Sequence, residues 1–307
     1  MGMIQSLEDS TINTDVKHKL TNDYYHTKYN LIPSFSEIDG TTHDMQSISR
    51  KLNLIHKDSD YEDLRNNFPN IINIDRLPFN PIASVVYMLH YSLLKNKLPL
   101  FPPSMIYIYK NISFYKKVTS IMNFQSIFNS IRKYGFCSEN ELRTTVENFS
   151  TEINQNLLNK SQSFKFVNTY KIANDVEILK KLLQNKFPIL IGFTIFNDLS
   201  NLNDTIIMPN KTIDAPMGGL SGVIVGYIND QEVFIMASTF GEHFGNAGYI
   251  NIPFDYISKH YTFELYVVDI DYNRVMGHVN QKKTMIELEE INNTSVYKND
   301  MFNSLFS

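Results

Sequence analysis

The sequence predicts an α+β protein in two lobes, a helical half followed by a strand-rich half. Three observations predict it. Apolar residues recur at helical spacing through the first part of the chain, as in Ile82, Val85, Val86, Leu89 and Leu93. After Lys186 the pattern changes to short β-branched and aromatic runs: FPILIGFTIF, GVIVGYI, EVFIMA, YINI and TFELYVVDI. The chain has 307 residues, 43% hydrophobic and 20% charged, enough for one large core shared by two lobes. Helices first and strands after is the order of an α+β fold.

The elements follow in chain order. Residues 1–58 are polar and weakly periodic, with scattered aromatics (Tyr24, Tyr25, Tyr29, Phe35), and read as an extended arm or small accessory segment. Asn80-Pro81 starts a helix over 80–94, with Asn as the cap and Pro at a position that needs no N–H. Pro102-Pro103 break the chain before the aromatic stretch SMIYIYKN. Phe124, Ile127, Phe128 and Ile131 form one helix face, stopped by Gly135. Ser138 and Glu141 have capping-box spacing and predict a further helix. Val176, Leu179, Leu182 and Leu183 mark another, over 174–185. Among the strands, Asn229-Asp230 reads as a hairpin turn. The tail from Asp271 is polar, and its IELEE run at 286–290 reads as a solvated helix face.

Composition removes several function classes. A net charge of −4 gives no electrostatic reason to expect nucleic acid. Cys137 is the one cysteine, so no intramolecular disulfide forms. No apolar run reaches the roughly 18 residues of a membrane span, and MGMIQSLEDS lacks the features of a signal peptide. Met1, Gly2 and Ser6 match the myristoylation pattern, which makes Gly2 a lipidation candidate and the one expected route to a membrane. The histidines show no metal-ligand spacing, so neither metal nor cofactor is expected. The excess of Asn, Ile, Lys, Tyr and Phe points to an AT-rich genome, such as that of a large DNA virus or a protist. The same asparagine excess accounts for the glycosylation sequons.

The order DYEDLRNNFP (60–69), a helix at 80–94, FPPSMIYIYKN (101–111), IRKYGFCSE (131–139), DVEILKKLLQNKFPILIGFTIF (175–196), GGLSGVIVGY (218–227) and FIMASTFGEHFGNAGYINIPFDYI (234–257) resembles the papain-like (C1) cysteine peptidases. The likeness is to their bacterial and viral branch and covers about residues 60–270. It implies an arm at 1–58, a papain-like domain at 59–270 and an extension at 271–307. The implied domain has a helical lobe with a long central helix and a lobe of antiparallel sheet.

That family's chemistry needs a thiolate, a histidine base, an orienting Asn and an oxyanion-binding Gln. Carried over by position, L-G-S-C falls on Leu77-Pro78-Phe79-Asn80, which puts Asn80 in the nucleophile's place. G-G-H falls on Gly218-Gly219-Leu220, with Leu220 in the base's place. N-S-W-G falls on Ser238-Thr239-Phe240-Gly241, with Ser238 in the orienting place. Arg76 or Ile74 stands near the Gln. A carboxamide is no nucleophile and Leu accepts no proton. The resemblance thus implies a degenerate active site and a catalytically inactive homologue that acts by binding or structure.

The expected cleft residues are Phe79, Asn80, Gly218, Gly219, Leu220, Phe240 and His243. The expected occupant is a protein or peptide segment, or the chain's own 1–58 arm. The expected location is the cytoplasm of the producing cell, or a virion. The alternative is a hydrolase with a relocated site in the same cleft, for which Cys137, His243, Ser238 and Ser221 are the groups to weigh. On the residues alone, Cys137 reads as a packed thiol, His243 as a solvated loop residue and His90 as a core or interface histidine.

Overall fold

The computed structural model describes residues 29–281 apart from 35–41, 56, 75–76, 114–121 and positions 198, 200, 201, 203 and 211. Gly2, Arg76, the aromatics Tyr24, Tyr25 and Phe35, and the 286–290 run lie outside the described residues. In chain order the elements are α1 Met45–Leu52, β1 Tyr61–Asp63, α2 Asn80–Lys95, α3 Met105–Ser113, α4 Phe124–Tyr134, α5 Gln155–Ser161, β2 Val167–Lys171, α6 Val176–Gln184, β3 Ile189–Ile195, β4 Gly218–Ile228, β5 Val233–Ala237, β6 Tyr249–Pro253, α7 Phe254–Ser258 and β7 Thr262–Ile270.

Among the described residues the strands form one seven-stranded antiparallel sheet in the order β2-β7-β3-β4-β5-β6, with β1 also paired to β4. β3 and β4 are buried nearly end to end, which is why their sequences are continuous Val/Ile runs and not alternating ones. α2 packs against β4, β7 and β3 on one side and against α3 and α4 on the other, so it is the shared wall between the lobes. α6 covers β1, β3 and β4. One core cluster runs through both lobes, and a small second one joins Ile106, Tyr107, Cys137 and Leu142. No helix among the described residues is long and apolar enough to cross a membrane.

Local chemistry explains most boundaries. Asn123 caps α4 by accepting from the Ser126 N–H, and Gly135, at φ 73°, ends it. Asp175 caps α6 through the N–H groups of Glu177 and Ile178. At α2 the expected cap is absent. Phe79 takes the cap position without a side-chain bond, and Asn80 is the first helical residue, its side chain drawn across to β4. Pro81 still stands in the first turn, as the sequence predicts.

The helix predicted at Ser138 does not form. The capping contacts exist: Glu141 Oε2 accepts from Ser138 N at 3.2 Å and Ser138 Oγ from Asn140 N at 3.1 Å. However, Ser104 Oγ donates to the Leu142 carbonyl at 2.5 Å, and the Glu139 carboxylate takes Thr144 N. These tertiary bonds use the groups that a helix would need, so the segment stays a turn.

Two chain ends differ from a plain arm and tail. Within the 1–58 segment, α1 forms, capped by Asp44 on Ser47 N, and Ile48 is fully buried. At the other end residues 272–281 are helical and Val275 is buried in the main core, so the body continues past 271.

Candidate functional site

The N-terminus of α2 points at the first residues of β4. There one edge of β4 is not covered by β5, whose pairing with β4 begins only at Val223. Asn80 fills part of that gap. Its Nδ2 donates to the Ser221 carbonyl and to Thr239 Oγ1, both at 2.9 Å. Its Oδ1 accepts from Ser221 N at 2.9 Å and Ser221 Oγ at 2.8 Å. All the hydrogen-bonding capacity of the carboxamide is thereby used while Asn80 is 2% exposed. Ser84, one turn along α2, lies 2.9 Å from Ser221 Oγ and donates to the Asn80 carbonyl at 3.1 Å. The carboxamide pairs with both main-chain polar groups of Ser221, as a neighbouring strand would.

The 238–241 loop closes the far side. Ile74 N donates to the Thr239 carbonyl at 3.0 Å and Gly241 N to the Ile72 carbonyl at 3.1 Å. Tyr87 of α2 accepts from Ile72 N and donates to the Ser238 carbonyl at 2.8 Å, tying this loop to the helix. Phe240 and Phe244 pack edge to face with centroids 5.0 Å apart.

The expected residues are distributed unevenly around this centre. Asn80 meets Ser221 and Thr239, each one residue beyond the positions carried over as Leu220 and Ser238. Strand alternation separates Leu220 from Ser221. Leu220 is 1% exposed, faces away from the α2 terminus and pairs across with Phe193. Ser238 presents its carbonyl to Tyr87 and its Oγ to Phe240 N. Phe79 is wholly buried, stacked on Phe149 and tilted on Tyr109, so it belongs to the core and not to a cleft wall. His243 is exposed in its loop. His90 is half-buried on α2, and burial lowers its pKa.

Main chain also lies along this edge of β4. Residues 29–34 run beside it, with Leu31 N donating to the Gly219 carbonyl at 3.1 Å. On their other side, Ile32 N donates to the Met122 carbonyl at 2.9 Å and Met122 N to the Asn30 carbonyl at 3.0 Å.

The arrangement holds hydroxyls and a carboxamide. Among the described residues no histidine, carboxylate or amine is hydrogen-bonded to Asn80, Ser84, Ser221 or Thr239. No group of His, Cys, Asp and Glu among the described residues is placed to hold a metal ion. Cys137, the sole thiol, is buried in the second cluster with Ile106, Tyr107 and Leu142. Burial first, then the carboxylates of Glu141 and Glu139, push its pKa up to about 12. Native protein at pH 8 therefore reacts with iodoacetamide at least about 100-fold more slowly than the urea-unfolded chain, as read by intact mass. Equal rates in the two states would contradict this placement.

Sequence reasoning missed Ser84 and Thr239 as partners, and Met122 and Glu264 as groups that meet residues 29–34. One signal was present: Asn80, Ser84 and Ser221 are polar residues in stretches that are otherwise apolar, and buried polar groups require one another.

No family model matches the chain. It is similar to an uncharacterized peptidase C1-like protein of Acanthamoeba polyphaga mimivirus, 26% identical over 172 residues. That match covers 52% of this chain and 55% of that protein, about half of each. Among solved structures it is similar to xylellain, a cysteine protease from Xylella fastidiosa. The TM-score is 0.70 at 20% identity, covering 80% of this chain and 97% of that one. The digestive procathepsin L 3 of Tenebrio molitor larval midgut gives a TM-score of 0.58 at 13% identity, covering 84% and 90%. The proCathepsin B of Trypanosoma congolense gives 0.59 at 13% identity, covering 80% and 89%. The chain thus has the papain-like fold, and over about half its length its sequence is similar to a C1-like protein of a mimivirus.

Proposed function

We propose that this chain is a catalytically inactive papain-like protein whose cleft serves binding or structure. One observation carries the reading. A cysteine peptidase needs a thiolate at the head of the central helix, and the sole thiol of this chain, Cys137, is buried in a different cluster with its pKa raised. No shift of register restores a thiol there, because Leu77, Pro78, Phe79 and Asn80 all lack one. The carboxamide of Asn80 is fully engaged, and Leu220 offers no acceptor for a proton. The relocated hydrolase finds less support, since Ser84 and Ser221 bond to Asn80 and to each other, and the Thr239 hydroxyl to Asn80, and none to a base. Composition and the mimivirus relative support a viral origin, with the cytoplasm or the virion as the place of action.

The test is hydrolysis of casein and fluorogenic peptides from pH 4 to 9 by the purified full chain, beside Cys137→Ala. Both proteins are expected to stay at the buffer rate. Turnover by the native chain that disappears in Cys137→Ala would overturn the proposal.

A further inference from the structure

We infer that the groove between α1 and α6 binds a small organic phosphate, at a site that shares no residue with the Asn80 network. The groove has a volume of about 770 Å³, within the size range of small-molecule sites. Arg50 of α1 and Lys181 of α6 line it together with the side chain of Gln46, and none of its lining residues is acidic. Met45 and Leu54 supply the apolar part of the wall.

The groove holds polar groups that the fold itself does not use. Ser49 Oγ lines it, buried and without a hydrogen-bond partner. A hydroxyl shut off from water normally has a partner, and a ligand oxygen would supply this one. The two cations are unspent as well. Among the described residues neither is paired with a carboxylate: Glu177 goes to Lys180 at 3.0 Å, and Asp44 caps α1 on Ser47 N at 2.8 Å. Arg50 donates through Nε to the Gln46 carbonyl at 3.5 Å, which leaves the two outer nitrogens of its guanidinium for a ligand.

The walls are set before any ligand arrives. Asn53, at φ 52°, turns the chain back at the end of α1, and the Ser49 carbonyl accepts from both Asn53 N and Leu54 N. Asn185, at the end of α6, clamps that turn. Its Oδ1 accepts from Ile55 N and its Nδ2 donates to the Ile55 carbonyl, each at 2.8 Å. A groove fixed in this way keeps the ordering cost of binding low. Phosphate is the anion that suits the donor set. A guanidinium pairs with two of its oxygens and an ammonium with a third, whereas a carboxylate has only two oxygens to share. The Met45 and Leu54 wall favours an organic phosphate over the inorganic ion.

Titration calorimetry of the full chain with phenyl phosphate at pH 8 and low salt tests the site. The expected result is saturation with a Kd of about 1 mM or tighter, and at least about three-fold weaker binding of inorganic phosphate and of benzoate. Arg50→Gln and Lys181→Gln should each weaken phenyl phosphate by at least about five-fold. Ser49→Ala should weaken it by about three-fold while its urea midpoint stays level or rises, because no existing partner is lost. No saturation by about 10 mM overturns the site. So does an affinity that survives unchanged in the double variant R50Q/K181Q, and benzoate bound as tightly as phenyl phosphate overturns the choice of phosphate. Peptide cleavage is not read in this experiment, so the inactivity proposal stands or falls separately.

Discussion

Asn80→Leu should unfold with about 3 to 5 kcal/mol less stability than the native chain, read as a lower urea midpoint at unchanged m-value. Leucine matches asparagine roughly in size but has no polar atom. The substitution leaves the Ser221 N–H and carbonyl, the Ser221 hydroxyl and Thr239 Oγ1 without the partner they now share. Each buried group left unmatched costs about 1 to 3 kcal/mol, less whatever water can recover. A loss under about 1 kcal/mol would mean that the network contributes little.

Asn80→Asp sharpens the same prediction through its pH dependence. An aspartate there keeps the acceptor oxygens but presents a charge to the Ser221 carbonyl in a site with almost no solvent. Desolvation raises the folded-state pKa above the unfolded value of about 3.9. The sign follows: above that unfolded value the folded chain retains a proton that the unfolded chain has released. Stability therefore falls as pH rises from about 4, and it levels off once the folded carboxyl ionises. Native Asn80 has no such dependence, so the difference between the two unfolding curves against pH isolates this one site.

The second large effect is at Phe79. Phe79→Ala should cost about 3 to 5 kcal/mol, because the ring is fully buried and removing it leaves a cavity between Tyr109 and Phe149. If Phe79 lined an open cleft, truncation would cost little stability and would change peptide binding instead. Thermal unfolding of the variant separates the two roles.

How much of this was legible depends on which groups carry the signal. α2, α4, α6 and strands β3 to β7 announce themselves through side-chain periodicity, and the structure places them within a few residues of the predicted bounds. The Asn80 cap and the Ser138 helix were misread for one reason. Both have good local cap chemistry, but a tertiary partner claims the atoms: Ser221 and Thr239 in the first case, Ser104 in the second. Local sequence does not contain those partners.

The segment 29–34 was least legible. Its pairing with Gly219 and Met122 is main chain to main chain, and such bonds have no residue signature. The Gly218-Gly219 pair was visible as part of the carried-over G-G-H; the structure adds the close approach of Tyr29 and Leu31. The family likeness put Asn80 at the head of α2, where the structure has it, while its hydrogen bonds lie one residue beyond the carried-over positions on β4 and the 238–241 loop.

The central proposal is that a papain-like frame is retained without hydrolytic chemistry, also when the pairing of residues 29–34 with β4 is broken. The most direct measurement is cleavage of a complex peptide library, followed by mass spectrometry from pH 4 to 9, with the native chain and with Leu31→Asp. The expected result is the same for both: no new peptide termini above the buffer control. Sequence-selective cleavage by either protein, and above all cleavage that vanishes on Cys137→Ala, would contradict the account.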